Sequence, residues 1–177
     1  MSEVPSVAFS MWQPWASLVV LGHKTIETRT WVFPAKYEGK RVAIHAGRRL
    51  VDPDEIEEIE YPLGKPLPID HSTLPFGCLI GSVLLVRVVG LWGEPDEPHG
   101  WRGGVLLPGT LQKTTVSRQE LAFGNYADGR FGWTLAEPDV FDKPIPFRGM
   151  QGFFSTTRCP VPSSLFDMEA HNENIHM

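Results

Sequence analysis

The sequence predicts a mainly β, α+β fold: a small closed or partly closed β-barrel with short flanking helices, in one domain. Three observations carry this. The chain has 177 residues, a usual single-domain length with room for a core. Its 17 glycines and 16 prolines imply many turns and short elements rather than a helical bundle. The apolar stretches are mostly strand-length and β-branched, and helical patterns are few and brief.

The elements follow in order. SVAFSM alternates and predicts a first strand. QPWASLVVLG predicts a short helix, with Pro14 at its first position and Gly22 in the left-handed position past its end. Trp15, Leu18 and Val19 share its apolar face. KTIETRTW predicts a strand on which Thr25, Glu27, Arg29 and Trp31 share one face, with Lys24 at the preceding turn. RVAIHAG predicts a third strand. The acidic DPDEIEEIEY predicts a short exposed helix, within a surface insertion at about 52–75. Residues 77–92 predict a central, well-buried strand. Residues 93–116 resist assignment, and SRQELAFGN predicts a helix with a capping box from Ser117 and Glu120. RFGWTLAE and MQGFFST predict two final strands, and residues 161–177 a flexible tail.

Composition narrows the function. The net charge of -5 argues against coating long duplex nucleic acid, which needs many phosphate neutralisations. The charge is uneven: residues 1–51 are net +4 and residues 52–75 net -6, so a local anion site is compatible with the acidic whole. Cys78 and Cys159 stand far apart and read as reduced, packed thiols of a cytoplasmic protein. No metal-ligand spacing is present, so neither metal nor organic cofactor is expected. CLIGSVLLVRVVGLW is too short and interrupted to span a membrane, MSEVPSVAF lacks signal-sequence character, and no obligate protein partner is implied.

Three tryptophans, Trp12, Trp15 and Trp31, bracket the mixed charges Lys24, Glu27 and Arg29. Arginine and lysine hold phosphate or carbonyl oxygens, a carboxylate accepts from an exocyclic amine, and an indole stacks on a base. That set suits one splayed nucleotide better than a duplex. Each residue also has a packing role to weigh: Trp15 and Trp133 as core, Gln13 as a helix cap, Glu27–Arg29 as a surface pair, and His45 as a satisfied buried imidazole. Tyr126, Arg130 and Trp133 are placed to rim the same pocket from the other side.

QPWASLVVLGHKTIETRTW, GKRVAIHAGRR, FGCLIGSVLLVRVV and GRFGWTLAEPDVFDKPIPFRGMQGFF together resemble the ASCH domain of the PUA-like superfamily. The resemblance extends over most of residues 5–157 and implies one domain over 1–160. Its most specific part is Q-P-W followed by G-x-K-x-x-E-x-R. It implies a barrel with a cleft beside the first helix where Lys24, Glu27 and Arg29 converge, with Gln13 at its edge, and a nucleoside, nucleotide or RNA ligand; from the residues themselves, Trp12 and Arg130 are also expected at that ligand. It also implies an alternative: some members are ribonucleases, and some hydrolyse N-acetylcytidine using a threonine three residues after the lysine. Here that position is Glu27, flanked by Thr25 and Thr28. Lys24 and Glu27 are the catalytic candidates if the chain is an enzyme.

Overall fold

The alternation of VAFSM folds as strand β1 (Val7–Met11), and the computed structural model describes residues 3–96, 100–110 and 112–157. Helix α1 (Trp15–Val20) follows, starting one residue later than expected, with Pro14 just before it. Gly22 is left-handed at φ 77°, as the end of this helix requires. Strands β2 (Ile26–Arg29) and β3 (Lys40–Ala46) come next, then helix α2 (Pro53–Leu63). The apolar run expected to be central is strand β4 (Cys78–Asp96). The segment that resisted assignment forms strands β5 (Gly100–Leu106) and β6 (Lys113–Thr115). Helix α3 (Arg118–Ala122), strand β7 (Phe131–Pro146) and strand β8 (Phe153–Ser155) complete the order.

The strands form one eight-stranded sheet in the order β2-β7-β4-β3-β1-β8, with β5 and β6 continuing from the far half of β4. β1 and β3 are parallel, and the other pairs are antiparallel. The long β4–β7 ladder shifts register at three places, which bends and coils the sheet. Bending does not complete a barrel. Among the described residues no ladder joins β2 to β1 or β8; the two ends meet through side chains instead. Arg29 Nη2 donates to Ser10 O at 3.2 Å, and the Trp31 ring meets Phe153 edge-on with centroids 6.2 Å apart. The expected closed or partly closed barrel is therefore, in its backbone, an open curled sheet.

The concave face encloses the main core, in which Phe9, Val19, Ile44, Leu85 and Trp133 are buried together. α1 lies close on β4: a Cβ at Gly81 would come 2.8 Å from Val20 Cγ1 and 2.4 Å from Asp139 O, so only glycine fits. A second apolar layer, with Ala8, Ala43 and Phe154, covers the opposite face of β1 and β3.

The acidic helix departs from the expected exposed element. α2 is amphipathic and buries Ile56 and Ile59 with Leu18 of α1, Leu67 and Phe123. The segment expected to be a surface insertion thus supplies side chains that join the three helices. Its start is capped as a box, with Asp52 and Glu55 each accepting from the other's end. The predicted tail and Cys159 lie outside the described residues. No helix among those described is long and apolar enough to cross a membrane.

Candidate functional site

The site is built on β2. Thr25 O accepts from Leu135 N at 2.8 Å, and Glu27 and Arg29 pair with Trp133 and Phe131 across the ladder. Glu27 and Arg29 therefore turn their backbone toward β7, Thr25 its carbonyl only, and Ile26 and Thr28 turn theirs outward. Side chains meet those outward groups. The Glu120 carboxylate accepts from Ile26 N at 2.9 Å and from Thr25 N and Oγ1 at 3.0 Å each. Lys24 Nζ donates to Ile26 O at 2.6 Å and to Phe123 O at 2.8 Å, and Arg130 Nη2 donates to Thr28 O at 3.3 Å. Only half of the expected capping box on α3 forms: Ser117 Oγ accepts from Glu120 N at 3.0 Å, while the Glu120 side chain reaches across to β2.

Beside β2 lies a cleft of about 570 Å³ at the seam between β1 and β2. Glu27 and Arg29 face it as the alternation predicts, and Trp12, Trp15 and Trp31 contribute to its walls. Glu27 Oε1 is 2.8 Å from Arg29 Nε, an ion pair whose N–H is not aimed squarely at the oxygen, and Glu27 Oε2 is 3.8 Å from Lys24 Nζ. Arg29 also lies over the Trp133 ring at 5.6 Å. The result is a carboxylate fixed between two cations at the base of an aromatic-walled cleft.

Lys24 does not share the cleft with them. It is 1 % exposed and lies beneath the floor, its ammonium bound to backbone carbonyls from two parts of the chain. Burial lowers its pKa, against the opposing pull of the Glu27 and Glu120 carboxylates. Gln13 is also placed away from the cleft edge. It is fully buried, accepts from Ser17 N at 3.1 Å and donates to Pro75 O at 2.9 Å, so its amide is engaged in starting α1 and tying down a loop. Tyr126 is core, 2 % exposed, not rim. Trp133 is wholly buried, and its Nε1 donates to Trp31 O at 3.0 Å.

Trp12 and Arg130 do line the cleft. Trp12 is 56 % exposed, and the Arg49 guanidinium lies 4.4 Å over its ring while pairing with both oxygens of Glu55. His45 is a satisfied imidazole: Nε2 bonds Phe147 O at 3.0 Å, Nδ1 meets Ser10 Oγ at 3.1 Å, and burial lowers its pKa. Sequence reasoning missed the far wall, where Glu55, Glu58 and Ile59 of α2 face the cleft. The spacing of Ile56 and Ile59, on one helical face, was the available signal. It also missed Glu120, whose part in holding β2 has no sequence-local trace.

Among the described residues no group of three or more His, Cys, Asp or Glu stands close enough to hold a metal ion. The chemistry on offer is polar recognition: ionic acceptor and donor groups side by side, with indoles to stack on a planar ligand.

Known proteins share parts of this chain. Activating signal cointegrator 1 of Mus musculus is 40 % identical over 81 residues, and the human protein 38 % over 81 residues. Each match takes in 44 % of this chain but only 13 % of the relative, so the chain matches a small part of those proteins. Among solved structures, an ASCH protein from Zymomonas mobilis aligns with a TM-score of 0.45 and 14 % identity, covering 93 % of both chains. A tyrosine-to-phenylalanine variant of that protein aligns with a TM-score of 0.43 and 15 % identity, covering 93 % of this chain and 96 % of that one. The family model for the ASCH domain matches residues 9–144, which take in both edges of the seam and the α2 wall. The chain belongs to the ASCH domain family.

Proposed function

We propose that the cleft recognises a nucleotide or a short single-stranded RNA segment, one base at a time. The observation that carries this reading is the Glu27–Arg29 pair at the base of a cleft walled by tryptophans. A base edge would meet the carboxylate, an indole would stack on the ring, and Arg130 at the rim would face the sugar-phosphate side. The acidic α2 wall, with Glu55 and Glu58, disfavours a second strand and with it a duplex.

Amide hydrolysis of a modified nucleoside is the alternative, and the geometry supports it less. Lys24 is enclosed beneath the floor with its ammonium on two carbonyls. Thr25 Oγ1 donates to the Glu120 carboxylate, but Thr25 is not among the residues that line the cleft; Thr28 lines it, and its Oγ1 accepts from Asn125 N at 3.0 Å rather than donating to a carboxylate or imidazole.

The test is a titration of purified protein with mononucleotides and short homopolymeric RNAs, followed by tryptophan fluorescence. Saturable quenching that Arg29→Ala weakens supports the reading. Two arginines allow at most about two phosphate contacts, so log K against log salt should be no steeper than about -1.4. Absence of binding to every member would overturn it. Multiple turnovers on N-acetylcytidine that vanish in Glu27→Gln would favour the hydrolase.

A further inference from the structure

We infer that the base selected by this cleft is guanine, an inference that rests on the nucleotide reading above. The Glu27 carboxylate still has acceptor capacity to offer a ligand. Each of its oxygens has about two lone-pair sites. Arg29 Nε occupies the side of Oε1 at 2.8 Å, and Lys24 stands 3.8 Å from Oε2 from below. Among the described residues neither oxygen accepts a well-aimed hydrogen bond, so both can accept from a ligand.

Along the floor the groups run Oε2, Oε1, then the Arg29 guanidinium: acceptor, acceptor, donor. The pairing edge of guanine runs N2 amine, N1–H, O6: donor, donor, acceptor. It is complementary at all three positions. Adenine and cytosine carry one amine beside a ring nitrogen that is itself an acceptor, so they meet at most two of the three positions. With the amine on Oε2 the ring nitrogen opposes Oε1; with the amine on Oε1 and the ring nitrogen at Arg29, no further pairing-edge N–H is left for Oε2. Uracil has a single N–H between two carbonyls, so when the N–H bonds the carboxylate one carbonyl opposes the other carboxylate oxygen, and at most two of the three positions are met. A carboxylate is an acceptor only and cannot reorient to remove that opposition.

The positions on either side fit the same ligand. Glu27 is held from two directions and is only 8 % exposed, so its carboxylate plane is fixed before a ligand arrives. Trp12 is the wall residue most open to solvent among the three tryptophans, at 56 % exposure, and a purine gives it more area to stack on than a pyrimidine. The cleft of about 570 Å³ has room for a mononucleotide.

The experiment compares GMP, IMP, AMP, CMP and UMP by fluorescence titration of the intact chain at fixed salt. IMP keeps N1–H and O6 but lacks the N2 amine, so it isolates the second donor. Loss of one hydrogen bond to an ionised group is expected to cost IMP about tenfold or more in affinity relative to GMP, and AMP, CMP and UMP at least as much. Glu27→Gln, which presents one acceptor and one donor, should move the preference from GMP toward AMP. If that variant does not fold, the GMP to IMP ratio on the wild-type protein decides alone. Equal binding of all five nucleotides, or of GMP and IMP, would overturn guanine selection while leaving nucleotide recognition standing. No binding by any of the five would overturn both.

Discussion

Replacing Lys24 by methionine tests whether this residue supports the cleft or touches what enters it. Methionine keeps most of the length and the apolar stem but removes the ammonium. Ile26 O and Phe123 O then lose a charged donor at 2.6 and 2.8 Å, and Glu27 keeps only Arg29 as a neighbouring cation. Each buried carbonyl left without a partner costs about 1–3 kcal/mol. Removing one member of a buried ion pair costs about 3–5 kcal/mol, and the two figures overlap because the same ammonium serves both. A net loss of about 3–5 kcal/mol is expected, which for a chain of this size lowers the melting temperature by roughly 6–20 °C. The assay is urea unfolding by tryptophan fluorescence and circular dichroism, with calorimetry for the midpoint. Arg29→Met is the control, because the Arg29 side chain is 30 % exposed and lines the cleft. It removes the nearer cation of Glu27 and the bond to Ser10 O, so it should cost some stability, less than Lys24→Met because the side chain is part-exposed. It should also lose affinity in the protein that remains folded. A Lys24→Met protein as stable as wild type but unable to bind nucleotide would refute the supporting role and make Lys24 a ligand residue.

Three other outcomes are expected. Trp12→Ala should change stability by no more than about 0.5 kcal/mol, since the ring is mostly exposed, yet weaken nucleotide binding by about 1–3 kcal/mol, read by calorimetric titration. Glu120→Ala removes the acceptor for Thr25 N, Thr25 Oγ1 and Ile26 N, and should destabilise by about 3 kcal/mol or more in denaturant unfolding. His45 has its pKa lowered below 6.5 by burial, so below that value the unfolded chain binds a proton that the folded chain resists. Its contribution is complete above about pH 6.5 and is lost as pH falls toward the folded value. His45→Gln should flatten that part of a stability-versus-pH curve.

Much of the fold was legible because strand and helix periods are local. VAFSM and RVAIHA alternate, and Glu27 and Arg29 share a face because a strand repeats every two residues. β7 was not legible at its full length. The predicted strand RFGWTLAE ends at Glu137, before the prolines, yet the ladder runs on and skips from Leu84↔Ala136 to Ser82↔Asp139 and from Gly81↔Val140 to Leu79↔Ile145. Pro138 and Pro144 fall in those skipped stretches, where no ladder bond is demanded of them. Within the cleft, the face of Glu27 followed from period, but the position of Lys24 did not. Lysine stands before the strand begins, and one of its acceptors, Phe123 O, is 99 residues away. The same distance hid Glu120. The charge of α2 outweighed its two buried isoleucines in the sequence reading, although those isoleucines, not its acids, decide where it sits.

The outward backbone of β2 has a consequence beyond the ligand. A short strand at the end of a sheet offers unpaired amides and carbonyls, the template on which foreign strands add and proteins aggregate. Here Ile26 N, Ile26 O and Thr28 O are each already held by a charged side chain of the same molecule. β1 cannot zip onto β2 to seal the gap, and a strand from a neighbouring molecule finds the same groups taken. The three side chains therefore do two jobs with one set of bonds: they hold the edge of β2 apart from β1, and they occupy backbone groups that an added strand would need.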